Sequence, residues 1–198
     1  MIYPAEILEV LQVLQSSRRA LEFLAPGKGE RTQRLRDGLA ENGSLESSIK
    51  AVIDEAGEIK DSASPKLHSL RSSQNTLRSR IRDYLRDFIR SANNQKYLQE
   101  SLVTERGGRY VVPVKTEYRH EVKGIVHDES ASGATVYIEP ELVVNANNEI
   151  KKLEAEEARE VARILRELSG RIAEFADELQ SSLESLETLD FWVAKARL

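Results

Sequence analysis

Apolar residues recur every three or four positions along most of the chain, and this helical period lapses in one central region. From Pro4, a residue tolerated in a first helical turn, Ile7, Leu8, Leu11, Leu14, Leu21 and Leu24 fall on one face and predict a helix of about five turns. The stretch APGKGE breaks it. A shorter helix resumes through Leu35 and Leu39 ahead of Asn42-Gly43, and another begins near Ser44 with Leu45, Ile49, Val52 and Ile53 as its stripe. Ser64-Pro65 reads as an N-cap followed by a first-turn proline, opening a helix whose stripe is Leu67, Leu70, Leu77, Ile81, Leu85 and Phe88, with Gln74 at the skipped step. Asn93-Asn94 frays that helix, and Gly107-Gly108 ends whatever remains of it.

The period then changes to that of strands. RYVVPVK, VKGIVHD and ATVYIEP are three short β-branched and aromatic runs, predicting a small antiparallel meander in which Pro113 confines the first strand to an edge. From Glu141 the helical period returns through Val144, Ile150, Leu153, Val161, Ile164, Leu168, Ile172, Phe175, Leu179, Leu183 and Leu186, with Gly170 as its one glycine. Read as one helix to residue 187, it would be on the order of 70 Å long, against a diameter of about 40 Å for a globule of this chain length. The fold expected is mainly α with a small antiparallel β unit: an elongated helical core and two long antiparallel helices with the β unit at their tip. The segments are 1–64 (core), 65–108 (first long helix), 109–139 (β unit), 140–187 (second long helix) and 188–198 (return to the core). Phe191 and Trp192 in LDFWVAKARL are expected to be core material.

Of the 198 residues 40% are hydrophobic and 31% charged, enough apolar surface for a core and too much for a disordered segment. The absence of cysteine excludes disulfides, thiolate metal sites and a cysteine nucleophile, and points to a reducing, cytoplasmic setting. No apolar run approaches the length of a membrane span. The net charge of -4 conceals a partition. Residues 66–123 hold 13 Lys and Arg against 6 Asp and Glu, whereas residues 139–190 hold 6 against 14. Two segments of opposite sign packed side by side account for this, and a basic surface facing phosphate is the alternative.

His127-Asp128-Glu129-Ser130 invites a catalytic or metal reading, but adjacent strand residues point to opposite faces and do not converge on one ion. None of the three histidines, at 68, 120 and 127, stands in a metal-binding spacing. Residues 128–133 read instead as turn chemistry, with Gly133 at a positive φ. GKG at 27–29 lacks the phosphate-loop pattern and reads as a helix break. The turn KTEYRHEVK differs in kind: Lys115, Tyr118, Arg119, His120 and Lys123 cluster where cations can meet phosphate and a tyrosine can lie against sugar or base. They are the candidate nucleic-acid contacts. The helix face with Arg78, Arg82 and Arg86 is the second candidate.

The run VTERGGRYVVPVKTEYRHEVKGIVHDESASGATVYIEPELVVNANNEIKKLEAEEAREVARILREL, with DEAGEIKDSASPKL before it and LETLDFWVAKARL after it, closely resembles the core and clamp region of the MutS-two family, the second bacterial branch of MutS-like proteins. The resemblance implies a helical core, two lever helices and a β-containing clamp that touches the nucleic-acid backbone. It implies a parent protein that is an ATP-dependent DNA-binding protein and endonuclease, is homodimeric, and suppresses homologous recombination in the manner of a DNA repair factor. DNA, branched or duplex, is the partner so implied; the ribosome and its RNA are the alternative, and a helical dimerisation scaffold without nucleic acid is the rival from another class. The Walker motif, the KOW-like part and the Smr nuclease domain are not in this sequence. The chain therefore reads as a non-catalytic fragment without catalytic, cofactor or metal residues, ATP and Mg belonging to the parent.

Overall fold

The structure is a computed structural model that describes residues 2–196. Seven α-helices and four strands follow in the order α1 (Pro4–Leu24), α2 (Glu30–Gly38), α3 (Gly43–Val52), α4 (Pro65–Arg90), α5 (Ala92–Gln95), β1 (Thr104–Arg106), β2 (Arg109–Lys115), β3 (Gly124–Glu129), β4 (Thr135–Pro140), α6 (Glu141–Ala173) and α7 (Ala176–Ala196). The fold is mainly α with a small antiparallel sheet. No helix of the described residues is long and apolar enough to cross a membrane. The chain divides into two compact units, one built from residues up to His68 and from Arg159 onward, the other from Ser69–Ala158.

In the first unit the anticipated stripes meet. Ile7 and Leu14 of α1, Leu45 and Ile49 of α3, Leu67 at the start of α4, and Ile164, Leu165, Leu168 and Ile172 of α6 are buried in one cluster. A second cluster joins Ala20 and Leu24 of α1 to Leu35 of α2 and to Leu39, with Leu186 and Leu189 of α7 against it. α2 comes close to α7 at Gly38, where a Cβ would stand 2.2 Å from Ser185 Oγ and would make that hydroxyl turn away. Ser64 caps α4 as its position suggests: its Oγ accepts from Leu67 N at 3.0 Å and donates to Glu160 Oε1 at 2.8 Å. Glu160, itself buried, also takes Arg163 Nη2 at 2.6 Å.

Three expectations are corrected here. The helix read as continuous to residue 187 ends at Ala173 and restarts at Ala176. Phe175 N bonds to Ile172 O in one tight turn, and Phe175 and Leu179 both pack against the first cluster. No proline or glycine marks the site, so the hydrophobic period runs through it unbroken. The first long helix likewise stops at Arg90. Ser91 is extended, and Asn94 Nδ2 donates to the Phe88 carbonyl at 3.0 Å, satisfying an acceptor at the helix end. Phe191 and Trp192 are not core: they are 65% and 37% exposed, because the inner side of α7 is already occupied by Leu186 and Leu189. The end of that segment, 197–198, lies outside the described residues.

The second unit packs Ile81 and Leu85 of α4 and Val143 and Ile150 of α6 against Val112, Val114, Val136 and Ile138 of the sheet. Its strands are antiparallel in the order β1-β2-β4-β3, which corrects the meander. Eight residues separate β2 from β3 and hold a 3-10 turn at Thr116–Tyr118, too long a connection for a tight hairpin. β4 therefore takes the place beside β2, pairing Val112 with Ile138 and Val114 with Val136. β1 is an addition to the strands expected, joined to β2 through Gly107 and Gly108 at φ +58° and +69°, a pair of left-handed residues suited to a two-residue hairpin. β2 is an inner strand, between β1 and β4, not the edge expected from Pro113: the proline lies past the end of β1, and its carbonyl accepts from Gln99 N at 3.0 Å, so its missing N–H costs no ladder bond to β4.

The opposite charges of the two long segments pair as anticipated. Arg71 meets Glu157 at 2.7 Å and Arg78 meets Glu154 at 2.8 Å within the second unit, and the buried Gln74 donates to Glu157 at 2.7 Å. In the first unit Arg163 and Ser64, both bonded to Glu160, hold its carboxyl at about 2, below the usual carboxylate range. Such a group stabilises the fold fully above its unfolded value near 4.5 and loses that contribution as pH falls towards 2. Urea midpoints measured from pH 5 to pH 2 are expected to fall less steeply for Glu160→Gln than for the parent. Ser64→Ala, which removes the cap, is expected to lower stability by about 1 kcal/mol at neutral pH.

Candidate nucleic-acid interface

The eight residues from Thr116 to Lys123 leave the end of β2 and return to the start of β3. Their base is fixed. Thr116 N donates to Ala134 O at 3.1 Å and Thr116 Oγ1 to Gly133 O at 2.6 Å, tying the turn to the 130–134 loop. Arg119 N and Glu121 N then close on the carbonyls of Thr116 and Tyr118, and Glu141 N donates to Lys123 O. Val122, buried, plugs the underside of the turn into the second unit's core.

The five candidate residues fall into two groups on this frame. Arg119, His120 and Lys123 are exposed, and their side chains make no hydrogen bond or ion pair with the described residues. Lys115 and Tyr118 are half-buried. Tyr118 packs against the core cluster and stands 5.5 Å from the Tyr97 ring at 55°. Lys115 Nζ lies 6.0 Å from the Tyr118 ring and 3.4 Å from Lys96 O. The structure thus places Arg119, His120 and Lys123 on the outside of one turn, with Lys115 and Tyr118 beneath them. Glu117 and Glu121, also exposed, share the turn and moderate its field. Of the second candidate face on α4, Arg78 is taken by Glu154 and Arg86 by Asp83 at 3.1 Å, while Arg82 is exposed.

His127 and Asp128 turn to different partners, across a register shift between Val126 and Asp128. Asp128 meets Arg106 at 3.2 Å, and Arg106 lies 3.9 Å over the Tyr137 ring. His127 Nε2 bonds to Glu139, a fully buried carboxylate on β4. The same carboxylate takes Arg109 Nη1 at 2.9 and 3.1 Å and Asn147 Nδ2 at 2.8 Å. Asn147 also bridges the Tyr110 backbone, and Arg109 Nη2 reaches Asn148 Oδ1 at 2.6 Å. Burial and the neighbouring Glu105 carboxylate raise the Tyr110 phenol above its ordinary range, so it stays neutral. No group of His, Asp and Glu among the described residues is arranged to hold a metal ion.

This buried network was missed in the sequence. Its signal was there: Glu139 interrupts a β-branched strand, and Asn147 falls between Val143 and Ile150 on the apolar face of α6 at i, i+4 and i+7. The turn anticipated at 128–133 is shorter: Asp128 and Glu129 belong to β3, paired with Tyr137 and Val136, and the turn holds from Ser130, whose Oγ accepts from Thr135 N at 3.0 Å, to Gly133 at φ +71°.

No protein-family model matches the chain. Individual relatives do. "Endonuclease MutS2" of Geobacillus thermodenitrificans is 43% identical over 98% of the chain, that of Pelotomaculum thermopropionicum 44% over 98%, and that of Brevibacillus brevis 42% over the whole chain. The chain belongs to the MutS2 family. It spans about a quarter of the length of these curated relatives, 25%, 25% and 26% respectively. The MutS2 likeness covers both units and therefore the 116–123 turn and the Glu139 network alike.

In this MutS2 segment Glu139 and Asp128 make a comparison of buried and exposed pairs. Glu139→Ala leaves Arg109 and Asn147 facing an empty acceptor position and is expected to destabilise the protein by about 3 kcal/mol. Asp128→Ala removes an exposed partner and is expected to cost less than about 1 kcal/mol. Urea denaturation followed by circular dichroism compares the two directly.

Proposed function

We propose that this segment is the nucleic-acid clamp and lever part of a MutS2 protein, non-catalytic in itself. In this reading the 116–123 turn touches the phosphate backbone through Arg119, His120 and Lys123. Lys115 and Tyr118 stiffen the turn, and α4 and α6 relay the nucleotide state of an ATPase carried elsewhere in the homodimeric parent. DNA is the partner proposed, duplex or branched, in a cytoplasmic protein that limits homologous recombination. The family name gives endonuclease activity to the relatives, and that activity is assigned here to parts of the parent outside these residues.

One observation carries the reading: Arg119 and Lys123, with His120 between them, share a turn whose backbone is bonded at its base, while Arg71, Arg78 and Arg86 of α4 are paired with Glu157, Glu154 and Asp83. Unpaired Lys and Arg on a braced turn suit nonspecific contact with phosphate, which needs charge at a fixed place and no base readout.

Fluorescence anisotropy with a DNA duplex and a four-way junction tests this at two salt concentrations. Two phosphate contacts, by Arg119 and Lys123, give a slope of about -1.8 in log K against log salt, so affinity is expected to fall roughly 12-fold between 50 and 200 mM. Arg119→Ala with Lys123→Ala is expected to reduce the slope by about 1.8 and weaken both complexes alike, with the circular dichroism spectrum unchanged. Binding that the double variant leaves intact assigns the contact to Arg82 and its neighbours on α4. An absence of binding at low salt leaves the scaffold reading, and exclusive binding to ribosomal RNA replaces DNA as the partner.

A further inference from the structure

Tyr97 and Tyr118 meet beside the 116–123 turn, and a lysine stands by each ring. Residues 97–99 run along the part of the β2 edge that β1 leaves free: Lys115 N donates to Tyr97 O at 2.9 Å, Gln99 N to Pro113 O at 3.0 Å, and Leu98 bridges Val114. Tyr97 is thereby held next to the start of the turn. Its ring centre lies 5.5 Å from that of Tyr118 with the planes tilted by 55°, so neither ring hides the other's face completely. Lys96 Nζ stands 4.8 Å over the Tyr97 ring, and Lys115 Nζ lies 6.0 Å from the Tyr118 ring.

Packing accounts for the inner side of this cluster, because both tyrosines rest on the core of the second unit. It does not account for the outer side. A tyrosine hydroxyl withdrawn from water usually finds a partner, yet neither phenol here is hydrogen-bonded to the described residues or closed off from solvent. Neither ammonium meets a carboxylate, and Lys115 reaches only the Lys96 carbonyl, at 3.4 Å. A cation resting on an exposed ring gains less than one bonded to a phosphate oxygen. A nucleic-acid backbone therefore draws the lysines off the rings, and a base of the same strand can take the aromatic face they leave. Only an unpaired base is free to do so, since bases inside a duplex are already stacked on their neighbours.

We propose that Tyr97 and Tyr118, with Lys96 and Lys115, form a subsite for unpaired DNA nucleotides, in which a base stacks on the rings and the lysines take the flanking phosphates. The inference rests on the phosphate contact proposed for Arg119 and Lys123, because Arg119 directly follows Tyr118 and one strand passes over both. Stacking of this kind is indifferent to sequence and favours overhangs, gaps and open branch points over continuous duplex.

Fluorescence anisotropy with three labelled probes tests the subsite: a short duplex, the same duplex with a four-thymidine overhang, and the duplex with four abasic residues in the overhang, which keep the phosphates and lack the bases. The unaltered chain is expected to bind the thymidine overhang roughly tenfold more tightly than the abasic one. Tyr97→Phe is expected to keep that ratio and Tyr97→Leu to bring it below about twofold. The ratio is taken within each protein, so a general weakening by a substitution cancels. Lys96→Ala alters an exposed side chain and is expected to weaken both overhang complexes several-fold and the duplex complex less. Arg119→Ala with Lys123→Ala is expected to weaken all three and preserve the ratio. Equal affinity for the two overhangs in the unaltered chain overturns the subsite, and duplex binding in the same experiment leaves the phosphate contact standing. A ratio that survives Tyr97→Leu, or overhang binding untouched by Lys96→Ala, also overturns it. Absence of binding to every probe removes the subsite and the phosphate contact together.

Discussion

A carboxylate that no water reaches is tolerated only when its charge and its lone pairs are met, and Glu139 is placed so that four elements must come together to meet them. Arg109 arrives from β2, His127 from β3 and Asn147 from α6, each bonding the carboxylate that β4 presents. Apolar contacts between Val112, Val136 and Ile138 would tolerate small slips in packing. The carboxylate does not, because a slip of one residue in β3 or β4 would turn a partner to the opposite face. The network therefore fixes how the sheet is seated on α6, and the strand order β1-β2-β4-β3 follows as the arrangement that brings Arg109 and His127 to opposite sides of Glu139.

That seating gives the 116–123 turn its character. The turn begins where β2 ends and closes where β3 begins, and β4 pairs with both of those strands. Fixing the pairings fixes the two ends of the turn, and Val122 and the Tyr97–Tyr118 contact hold its middle. Little backbone freedom is left to lose on binding, so cations on such a turn meet an anion at a lower entropic cost than cations on a floppy loop. The charge partition along the chain works in the same direction. Glu154 and Glu157 take up Arg78 and Arg71, leaving Arg119 and Lys123 among the unpaired positive charges of the second unit.

Helix starts were legible because their determinants are local. Ser64-Pro65 sets a cap whatever surrounds it, and the stripe from Leu67 to Leu85 needs only the helical period, even to the point of showing Gln74 as its polar exception. The strand runs were legible for the same reason. Their order was not, since it depends on which strand edges meet, and the only sequence-level hint was the length of the 116–123 connection. The interruption at Glu174-Phe175 carries no breaker residue; tertiary contacts of Phe175 and Leu179 impose it. The five candidate residues were found as a cluster, but the division between Lys115 with Tyr118 and the outer three depends on Tyr97, 21 residues from Tyr118 in sequence. Phe191 and Trp192 were misjudged because large aromatic residues default to the core, a default that fails when smaller residues on the same helix have filled the inner side.

The two polar clusters also differ in what they can tolerate. Glu160 lies between Ser64, Lys66 and Arg163, the last two exposed enough to keep much of their hydration, so its ionisation is favoured by neighbours that remain partly in water. Glu139 has no such margin. Its partners are mostly withdrawn from solvent, and removing one leaves the others with unmet bonds in a medium where those bonds are strongest. A change at Glu160 is thus confined to the joint between α4 and α6, whereas a change at Glu139 reaches every strand of the sheet that pairs through β2 and β4. Function that relies on the 116–123 turn is for this reason more exposed to substitutions at Glu139, Arg109 and Asn147, none of which need touch a ligand, than to most substitutions on the turn's own surface.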